Sequence, residues 1–367
     1  MTSFQADIAI IGAGIAGASL AAIIGDRARC VLIEAESQPG YHSTGRSAAF
    51  WSESYGGPLV QPLTTASGPW MAERGFLHRR GCIHIATAEG RPALTALAEE
   101  LETGGVEHAL LDRAALEQAI PRLSAAFVAG LSEPTCQDID VGGLHGHFLG
   151  EARRAGAQVL TDAAVDGITR KGDLWEIRTR AGTVRAPVLV NAAGAWASHV
   201  AALAGASPIK IQPYRRTMAQ LITDPAMGAD MPLVMDALGR FYFRPETGGR
   251  LWLSPHDETA VEAHDVAPEE LDIAIAIDQF EHVVDWRVIR RERAWAGLRS
   301  FAPDRLPVYG FDPTARGFFW FAGQGGFGIQ TAPAAAMVGA ALLLEAPLPE
   351  EVRAIDVGLY APERFSV

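Results

Sequence analysis

Apolar positions at the start of the chain predict a strand, a helix and a second strand in close succession. Residues 7–11 are mostly apolar, a Gly-Ala-Gly-Ile-Ala-Gly run follows, and small and apolar residues continue to Gly25. A second apolar run, Cys30–Glu34, ends on an acid. Short connections between buried strands and a helix are typical of a doubly wound parallel sheet. The pattern therefore predicts a βαβ unit that begins a Rossmann-like domain.

The end of the chain repeats this order. Residues 317–322 have the pattern of a buried strand, 323–328 are rich in glycine, and a helix of small residues is expected over 332–345. Between the two ends, 240–254 has the pattern of a hairpin around a Glu-Thr-Gly-Gly turn. Pro268 begins a longer helix with one apolar face.

These patterns predict an α/β fold with two domains, each discontinuous in sequence. The Rossmann-like nucleotide domain is expected to comprise 1–78, 138–205 and 297–367. The second, α+β domain is expected to comprise 79–137 and 206–296 and to be built on a mixed or antiparallel sheet that binds the substrate. A length of 367 residues suits two domains.

Composition excludes several classes of protein. Lys and Arg number 31 against 43 Asp and Glu, a formal net charge of −12, so a nucleic-acid partner is not expected. Three widely spaced cysteines suit a reduced, cytoplasmic protein. The apolar stretch 8–24 is short, contains glycines and follows Asp7 instead of a basic region, which argues against a signal peptide or an integral membrane segment. His145 and His147 lack further ligands at metal spacing, so no metal is expected.

The first glycine run has the spacing of a dinucleotide-binding turn. Gly12 permits a tight turn, Gly14 lets the backbone approach a pyrophosphate, and Gly17 allows the helix to pack closely on the sheet. The helix N-terminus supplies N–H groups to the phosphates, and Glu34 can accept from ribose hydroxyls. The alternative is a glycine-rich turn that binds nothing, and the placement of Glu34 favours the dinucleotide.

The second glycine run, 323–328, favours FAD over NAD. A nicotinamide enzyme needs one glycine fingerprint for its cofactor, whereas this chain has a second glycine loop before a helix N-terminus. Such a helix end would stabilise the negative charge of a reduced flavin. The alternative is an ordinary turn from strand to helix.

Unbroken motifs across nearly the whole chain resemble one family. The sequence is similar to the FAD-dependent D-amino-acid oxidase and dehydrogenase superfamily, and within it most closely to bacterial D-arginine dehydrogenases. The matching segments are 39–49 (Pro-Gly-Tyr-His-Ser-Thr-Gly-Arg-Ser-Ala-Ala), 190–196, 212–216, 261–266, 295–301 and 324–331.

The resemblance implies noncovalent FAD and a large set of residues around it. The loop 43–48 is expected to wrap the pyrophosphate and the isoalloxazine, Val165 to offer its backbone to the adenine, and 326–331 to hold the pyrimidine end of the flavin. The complete expected set is Gly12, Gly14, Ile15, Ala16, Gly17, Glu34, Ala35, Ser43, Thr44, Gly45, Arg46, Ser47, Ala48, Val165, Ala193, Gly194, Gly325, Gly326, Phe327, Gly328, Ile329, Gln330 and Thr331.

The resemblance also implies a clamp for a substrate carboxylate. Arg216 and Arg299 occupy the positions of an arginine pair, and a guanidinium grips a carboxylate with two parallel hydrogen bonds. Tyr242 is expected against the same carboxylate, Tyr55 is expected to close the pocket, and Gly326 is placed with them at the catalytic centre. Without the family, the arginines could be structural and the tyrosines could be packing residues.

Two departures from D-arginine dehydrogenases bear on the substrate. Cys82 stands where the relative has an acid that meets the substrate guanidinium, and Phe50 replaces an active-site histidine. Together with Ser52, these residues are expected in the substrate pocket. A cationic side chain would lose its partner, so neutral or hydrophobic D-amino acids should be favoured over basic ones.

The expected reaction is oxidative deamination of a D-amino acid, by hydride transfer from Cα to flavin N5, with oxygen or a quinone as the electron acceptor. The imino acid is then hydrolysed to an oxo acid. Two alternatives stay open: oxidation of a secondary amine of the sarcosine or glycine type, or of a 2-hydroxy acid, on the same fold, and a flavin-binding module without catalysis.

Overall fold

The computed structural model describes residues 2–366, which form 23 strands in four sheets. The strands are β1 Ser3–Gln5, β2 Ile8–Ile11, β3 Cys30–Ile33, β4 Phe50–Trp51, β5 Leu77–Arg79, β6 Cys82–Thr87, β7 Ala109–Leu111, β8 Phe127–Glu133, β9 Gln137–Ile139, β10 Gln158–Leu160, β11 Val165–Lys171, β12 Leu174–Thr179, β13 Gly182–Ala186, β14 Val188–Asn191, β15 Gln212–Asp224, β16 Leu233–Asp236, β17 Tyr242–Glu246, β18 Arg250–Ser254, β19 Thr259–Ala260, β20 Arg287–Phe301, β21 Val308–Phe311, β22 Phe318–Ala322 and β23 Gln324–Gly325.

Eight α-helices occur over the same range. They are α1 Ile15–Ile24, α2 Gln61–Glu73, α3 Arg91–Thr103, α4 Arg113–Ala119, α5 Val141–Arg154, α6 Ala197–Ala204, α7 Glu270–Val283 and α8 Ala332–Leu343. One-turn 3₁₀ helices lie at Gly25–Arg27, Gly194–Trp196, Glu350–Val352, Val357–Tyr360 and Pro362–Phe365. No helix within residues 2–366 is both long enough and apolar enough to cross a bilayer.

The central sheet confirms the predicted Rossmann-like fold. Its strands lie in the order β10-β3-β2-β14-β22-β21, all parallel except β21. The strands are apolar because both faces are covered. Helices α1, α5 and α8 pack on one face, while α6 and the small sheet β1-β13-β12-β11 cover the other. The strands from the two ends of the chain, β2 and β22, thus flank β14.

A second, mixed sheet confirms the predicted α+β part. Its order is β23-β20-β15-β18-β17-β16-β6-β8-β7, with β19 beside β15, and only the β16–β6 pair among these is parallel. Strands β17 and β18 form the predicted hairpin. Helix α7 covers one face of the sheet with Ile273 and Phe280. The predicted domain boundary at 297 falls inside β20, and the division into domains stays a prediction.

Buried Asp312 directly follows β21 and accepts several hydrogen bonds at this edge of the central sheet. The carboxylate is 6% exposed, and it accepts hydrogen bonds from Ser207 N (2.9 Å), Thr314 N (2.9 Å), Ala315 N (2.8 Å) and Trp320 Nε1 (2.9 Å). Burial raises the carboxyl pKa, but the donors, Trp320 first, outweigh burial and lower the pKa to about 2. The ionised form is therefore the one that the fold stabilises.

We expect Asp312→Asn to lower the free energy of unfolding at neutral pH by about 2 kcal/mol, since the depression of the pKa measures the preference for the carboxylate. Because the pKa in the folded state lies below the unfolded value, this contribution is complete above about pH 4 and is lost as pH falls through about 2. Urea unfolding should show nearly the same gap from wild type at pH 7 and pH 4 and a smaller gap at pH 3. The exposed Asp230→Asn is the control, and a gap independent of pH would contradict the assignment.

Candidate active site

A cleft of about 450 Å³ runs from the carboxyl ends of β2 and β3 to the face of the mixed sheet. It brings most of the predicted site residues together, although they are spread over the chain. The predicted residues that line it are Gly12, Gly14, Ile15, Ala16, Glu34, Ala35, Ser43, Thr44, Arg46, Ser47, Ala48, Phe50, Tyr55, Val165, Ala193, Gly194, Arg216, Tyr242, Arg299, Gly325, Gly326, Gly328, Ile329 and Gln330.

The three glycines of the first turn have distinct structural positions. Gly12 has a φ of +102°, and a Cβ there would overlap the carbonyl oxygen of Ala192. A Cβ at Gly17 would overlap the carbonyl oxygen of Gly12, so Gly17 lies against the turn and not in the cleft. Gly14 has an ordinary extended backbone and is the N-cap of α1. It borders the cleft, where the lack of a side chain leaves the helix N-terminus open to an anion.

Glu34 lies at the end of β3 and is held by the backbone. Its two oxygens accept from Ala13 N and Glu36 N, each at 3.0 Å. Val165 lines the same end of the cleft. The fixed carboxylate has spare lone pairs for hydroxyl donors, which suits the ribose contact predicted from its spacing.

Hydrogen bonds hold the loop 39–49 to helix α1 and to strand β20. Thr44 Oγ1 accepts from Ile15 N at 3.0 Å, and Ser43 Oγ donates to the Leu298 carbonyl at 2.8 Å. The guanidinium of Arg46 donates to the Val266 carbonyl at 3.0 Å and pairs with Asp265. Since this guanidinium joins two protein segments, the geometry favours a structural role for Arg46 over the contact with FAD that the resemblance implies.

Arg216 and Arg299 face the cleft from neighbouring strands. Arg216 in β15 pairs with Gly297 of β20, two positions before Arg299, so both side chains lie on the same face of the sheet. The Arg299 guanidinium donates to the Tyr55 hydroxyl. A Cβ at Gly326 would overlap that hydroxyl and would stand 2.9 Å from Arg299 Nη1.

Arg216 carries a buried hydrogen-bond donor without an acceptor. Its side chain is 4% exposed; Nε donates to the Asp257 carbonyl at 2.7 Å, and Nη2 donates to Glu258 at 3.1 Å. Nη1 has no partner. Burial, and then the Arg299 cation, lower the pKa of Arg216 to about 10, so it remains charged at neutral pH. A buried charged donor without an acceptor is costly, which indicates that a ligand acceptor belongs there.

The rest of this end of the cleft is apolar and aromatic. Phe50 lies edge-on to Tyr55 and Tyr242, with ring centroids 5.5 and 6.2 Å away, and Met218 completes the wall. The Tyr242 hydroxyl donates to Met218 Sδ at 3.0 Å. The carboxylates that line the cleft belong to Glu34 and Glu36, which both lie at its other end. The described wall beside the arginines thus offers no carboxylate to a substrate cation.

Two residues that were expected in the substrate pocket lie behind its wall. Cys82 is 1% exposed and packs under Phe50 and Tyr242, because β6 is an inner strand of the mixed sheet. Ser52 is fully buried and its hydroxyl donates to Glu133 at 2.9 Å. Neither residue lines the cleft, so the geometry does not support their predicted contact with substrate.

Four residues expected at the cofactor also stand away from the surface of the cleft. They are Gly17, Gly45, Phe327 and Thr331. The Thr331 hydroxyl donates to the Phe327 carbonyl at 2.9 Å, so these two residues shape the loop before α8. Thr331 and Phe327 thus hold the conformation of this loop. A direct contact of the four residues with the cofactor stays a prediction.

Several residues at the site were missed from the sequence. Asp257 and Glu258 hold Arg216, and Ser300 lines the cleft with a buried hydroxyl that has no partner. His256 stacks edge-on against Tyr242 with centroids 5.7 Å apart. Burial, followed by Arg216 and Arg299, lowers the pKa of His256 to about 3, so its ring is neutral. No local pattern marks these residues, because the fold alone brings them to the arginines.

Comparisons with known proteins agree with this architecture. A model described as "FAD dependent oxidoreductase" matches residues 7–342. The chain is 26% identical over 257 residues to hydrogen cyanide synthase subunit HcnC of Pseudomonas aeruginosa, covering 70% of this chain and 59% of that protein. It is 25% identical over 359 residues to mitochondrial dimethylglycine dehydrogenase of Mus musculus, covering 89% of this chain and 41% of that protein.

The chain spans less than two thirds of the length of these curated relatives. Among solved structures, glycine oxidase from Geobacillus kaustophilus has a TM-score of 0.84 at 23% identity, covering 98% of each chain. At that identity the likeness shows the fold alone.

Proposed function

The chain belongs to the FAD dependent oxidoreductase family, and we propose that it oxidises the Cα–N bond of D-amino acids with neutral or hydrophobic side chains. FAD is its cofactor. The observation that carries the proposal is the unpartnered, buried Nη1 of Arg216, beside Arg299 and an apolar wall. A carboxylate is the acceptor that suits two neighbouring guanidinium groups.

The cleft fits FAD on four counts. The N-terminus of α1 lies open at Gly14, Glu34 is fixed for a ribose, and Ser300 presents a buried hydroxyl without a partner. His42 lines the same cleft with a buried Nδ1 that has no partner. When bound, FAD supplies the two-electron acceptor for the oxidation.

The chain's own residues bind and orient the substrate. Arg216 and Arg299 would hold the carboxylate and Tyr55 would lie over it, which fixes the direction of the Cα–H bond. Orientation of this kind accounts for a large part of the rate in such reactions. Tyr242, Phe50 and Met218 would exclude water around the side chain. The imino acid leaves the site, and water hydrolyses it to the oxo acid and ammonia.

The preference for neutral side chains rests on the wall of the cleft. A basic side chain would be buried there without a counter-charge, which costs several kcal/mol. The D configuration rests on the motifs similar to those of D-arginine dehydrogenases, such as 39–49 and 324–331. A cytoplasmic location, supported by three free and buried cysteines, and oxygen or a quinone as electron acceptor belong to the same proposal.

A second candidate is oxidation of glycine or of an N-methylated glycine such as sarcosine. The name of the dimethylglycine dehydrogenase among the similar proteins favours it. The carboxylate clamp would serve either substrate equally well. A 2-hydroxy acid, or a flavoprotein without turnover, remains an outcome of the test.

Anaerobic mixing of the holoprotein with candidate substrates, followed at the visible flavin band, tests the proposal. The panel comprises D- and L-alanine, D- and L-methionine, D-phenylalanine, D-arginine, glycine, sarcosine and D-lactate. We expect rapid bleaching by the neutral D-amino acids and slow bleaching by D-arginine. Faster bleaching by sarcosine or glycine would favour the second candidate, and fast bleaching by D-arginine would contradict the argument from the apolar wall.

We expect Gly326→Ala to lower kcat/KM about tenfold, because the new methyl overlaps the Tyr55 hydroxyl that Arg299 binds. Tyr55→Phe removes that hydroxyl and should itself cost severalfold. The double variant should be no worse than Gly326→Ala alone, since the overlap with the Tyr55 hydroxyl has gone. Steady-state kinetics of the three variants check this, and additive losses would show that Gly326 acts independently of Tyr55.

A further inference from the structure

A carboxylate of the protein already binds the guanidinium of Arg216. Glu258 Oε1 accepts from Arg216 Nη2 at 3.1 Å and from Arg305 Nη2 at 2.9 Å. The Glu258 side chain is 36% exposed and Arg305 is half exposed, whereas Arg216 is 4% exposed. Glu258 does not line the cleft. It therefore meets Arg216 from outside and leaves Nη1 free toward the ligand.

Glu258 is not required to orient the guanidinium. Arg216 Nε donates to the Asp257 carbonyl at 2.7 Å, and the Asp257 carboxylate accepts from Thr217 N at 2.7 Å and from Thr217 Oγ1 at 2.9 Å. These bonds fix the segment beside β15 independently of Glu258. What Glu258 adds is a negative charge next to the two cations that face the cleft.

We propose that Glu258 sets the charge of the carboxylate clamp, so that the clamp holds one carboxylate and discriminates against ligands with a second negative charge. This inference rests on the proposed function of Arg216 and Arg299. Without Glu258, the cations of Arg216 and Arg299, with that of Arg305 behind them, would attract any anion, and a dianion most of all. With Glu258 in place, part of that attraction is cancelled, and a second carboxylate is repelled. Glu258 thus acts on specificity through Arg216 and does not touch the substrate.

Glu258→Gln isolates the charge, because the amide oxygen can still accept from Arg216 and Arg305. The matched control is Glu262→Gln, which removes the same charge from an exposed position on the same segment. The probes are acetate and malonate, which carry one and two carboxylates and no amine to oxidise. Each is titrated into the oxidised holoprotein, and binding is followed by calorimetry and by the shift of the flavin absorbance band.

We expect Glu258→Gln to lower the Kd of acetate about three- to tenfold, which is the range for a partly screened charge beside Arg216. The Kd of malonate should fall by a larger factor. Glu262→Gln should change neither by more than about twofold. For a turned-over substrate, KM should fall while kcat is unchanged, since the gain is the same in the ground and transition states.

An unchanged or raised Kd for both probes in Glu258→Gln would overturn the inference. Arg216→Ala separates this result from failure of the proposed function. If wild type binds acetate and Arg216→Ala does not, the clamp stands, and the Glu258 result alone decides the inference. If wild type binds neither probe, the clamp itself fails and the inference with it.

Discussion

Replacement of Arg216 by alanine is expected to lower kcat/KM for the preferred amino acid about 10³-fold. A substrate carboxylate that loses a buried, charged hydrogen-bond partner forfeits about 4 kcal/mol. The fold should survive, because Glu258 keeps its ion pair with Arg305 and is partly exposed. Arg216→Lys keeps the charge but loses the bond from Nε to the Asp257 carbonyl, so a loss of about 10- to 100-fold is expected.

The matched control is Arg293→Ala on β20. Arg293 is exposed and lies over the Trp295 ring, 5.5 Å from its centroid, so its removal takes one cation from the same strand without touching the cleft. Its kcat/KM should stay within about twofold of wild type. Rapid-reaction reduction of the flavin across substrate concentrations gives the limiting rate of reduction and the Kd of the substrate for each variant. The ratio of the two measures the same loss as kcat/KM. An Arg216→Ala protein as active as Arg293→Ala would show that the carboxylate binds elsewhere.

The parallel sheet and its glycine turn could be predicted from the sequence because both depend on local properties. A run of apolar residues forms a strand when both its faces are buried, and β2 and β3 are such runs. The positive φ of Gly12 and the helix packing at Gly17 are requirements of the backbone itself. Such requirements fall on single positions of the sequence, so the spacing of the glycines is enough to predict them.

The environment of Arg216 could not be predicted in this way. Asp257 and Glu258 lie about forty residues later, and they reach Arg216 because the segment after β18 folds back along β15. The face of the sheet on which the Cys82 side chain lies depends on the register of β6 between β16 and β8. No local sequence pattern fixes that register. Arg46 is similar, since its partner Asp265 is brought by a distant loop. The resemblance placed Arg216, Cys82 and Arg46 near the site, but their contacts follow from tertiary packing.

Replacement of Gly14 by aspartate is expected to raise the Kd for FAD by at least about 10³-fold while the protein remains folded. Gly14 has φ −69° and ψ −172°, which any residue adopts, and a Cβ there would stand 3.1 Å from Thr44 Oγ1. Aspartate is also a preferred N-cap residue, so α1 should gain stability. Its carboxylate would occupy and neutralise the helix N-terminus at which the pyrophosphate is expected, and would repel the phosphates.

The opposite signs of these two effects make the test decisive. Thermal unfolding of the apoprotein should give a Tm equal to or above that of wild type, whereas calorimetric titration with FAD should show the loss of affinity. Gly14→Ala adds the Cβ without the charge, so its Kd for FAD should lie between those of wild type and Gly14→Asp. Gly146→Asp makes the same change at an exposed position in α5 with no neighbour within 4 Å, and should bind FAD like wild type. Since α1 keeps its N–H groups in every variant, near-normal FAD binding by Gly14→Asp would mean that the pyrophosphate lies away from this helix end.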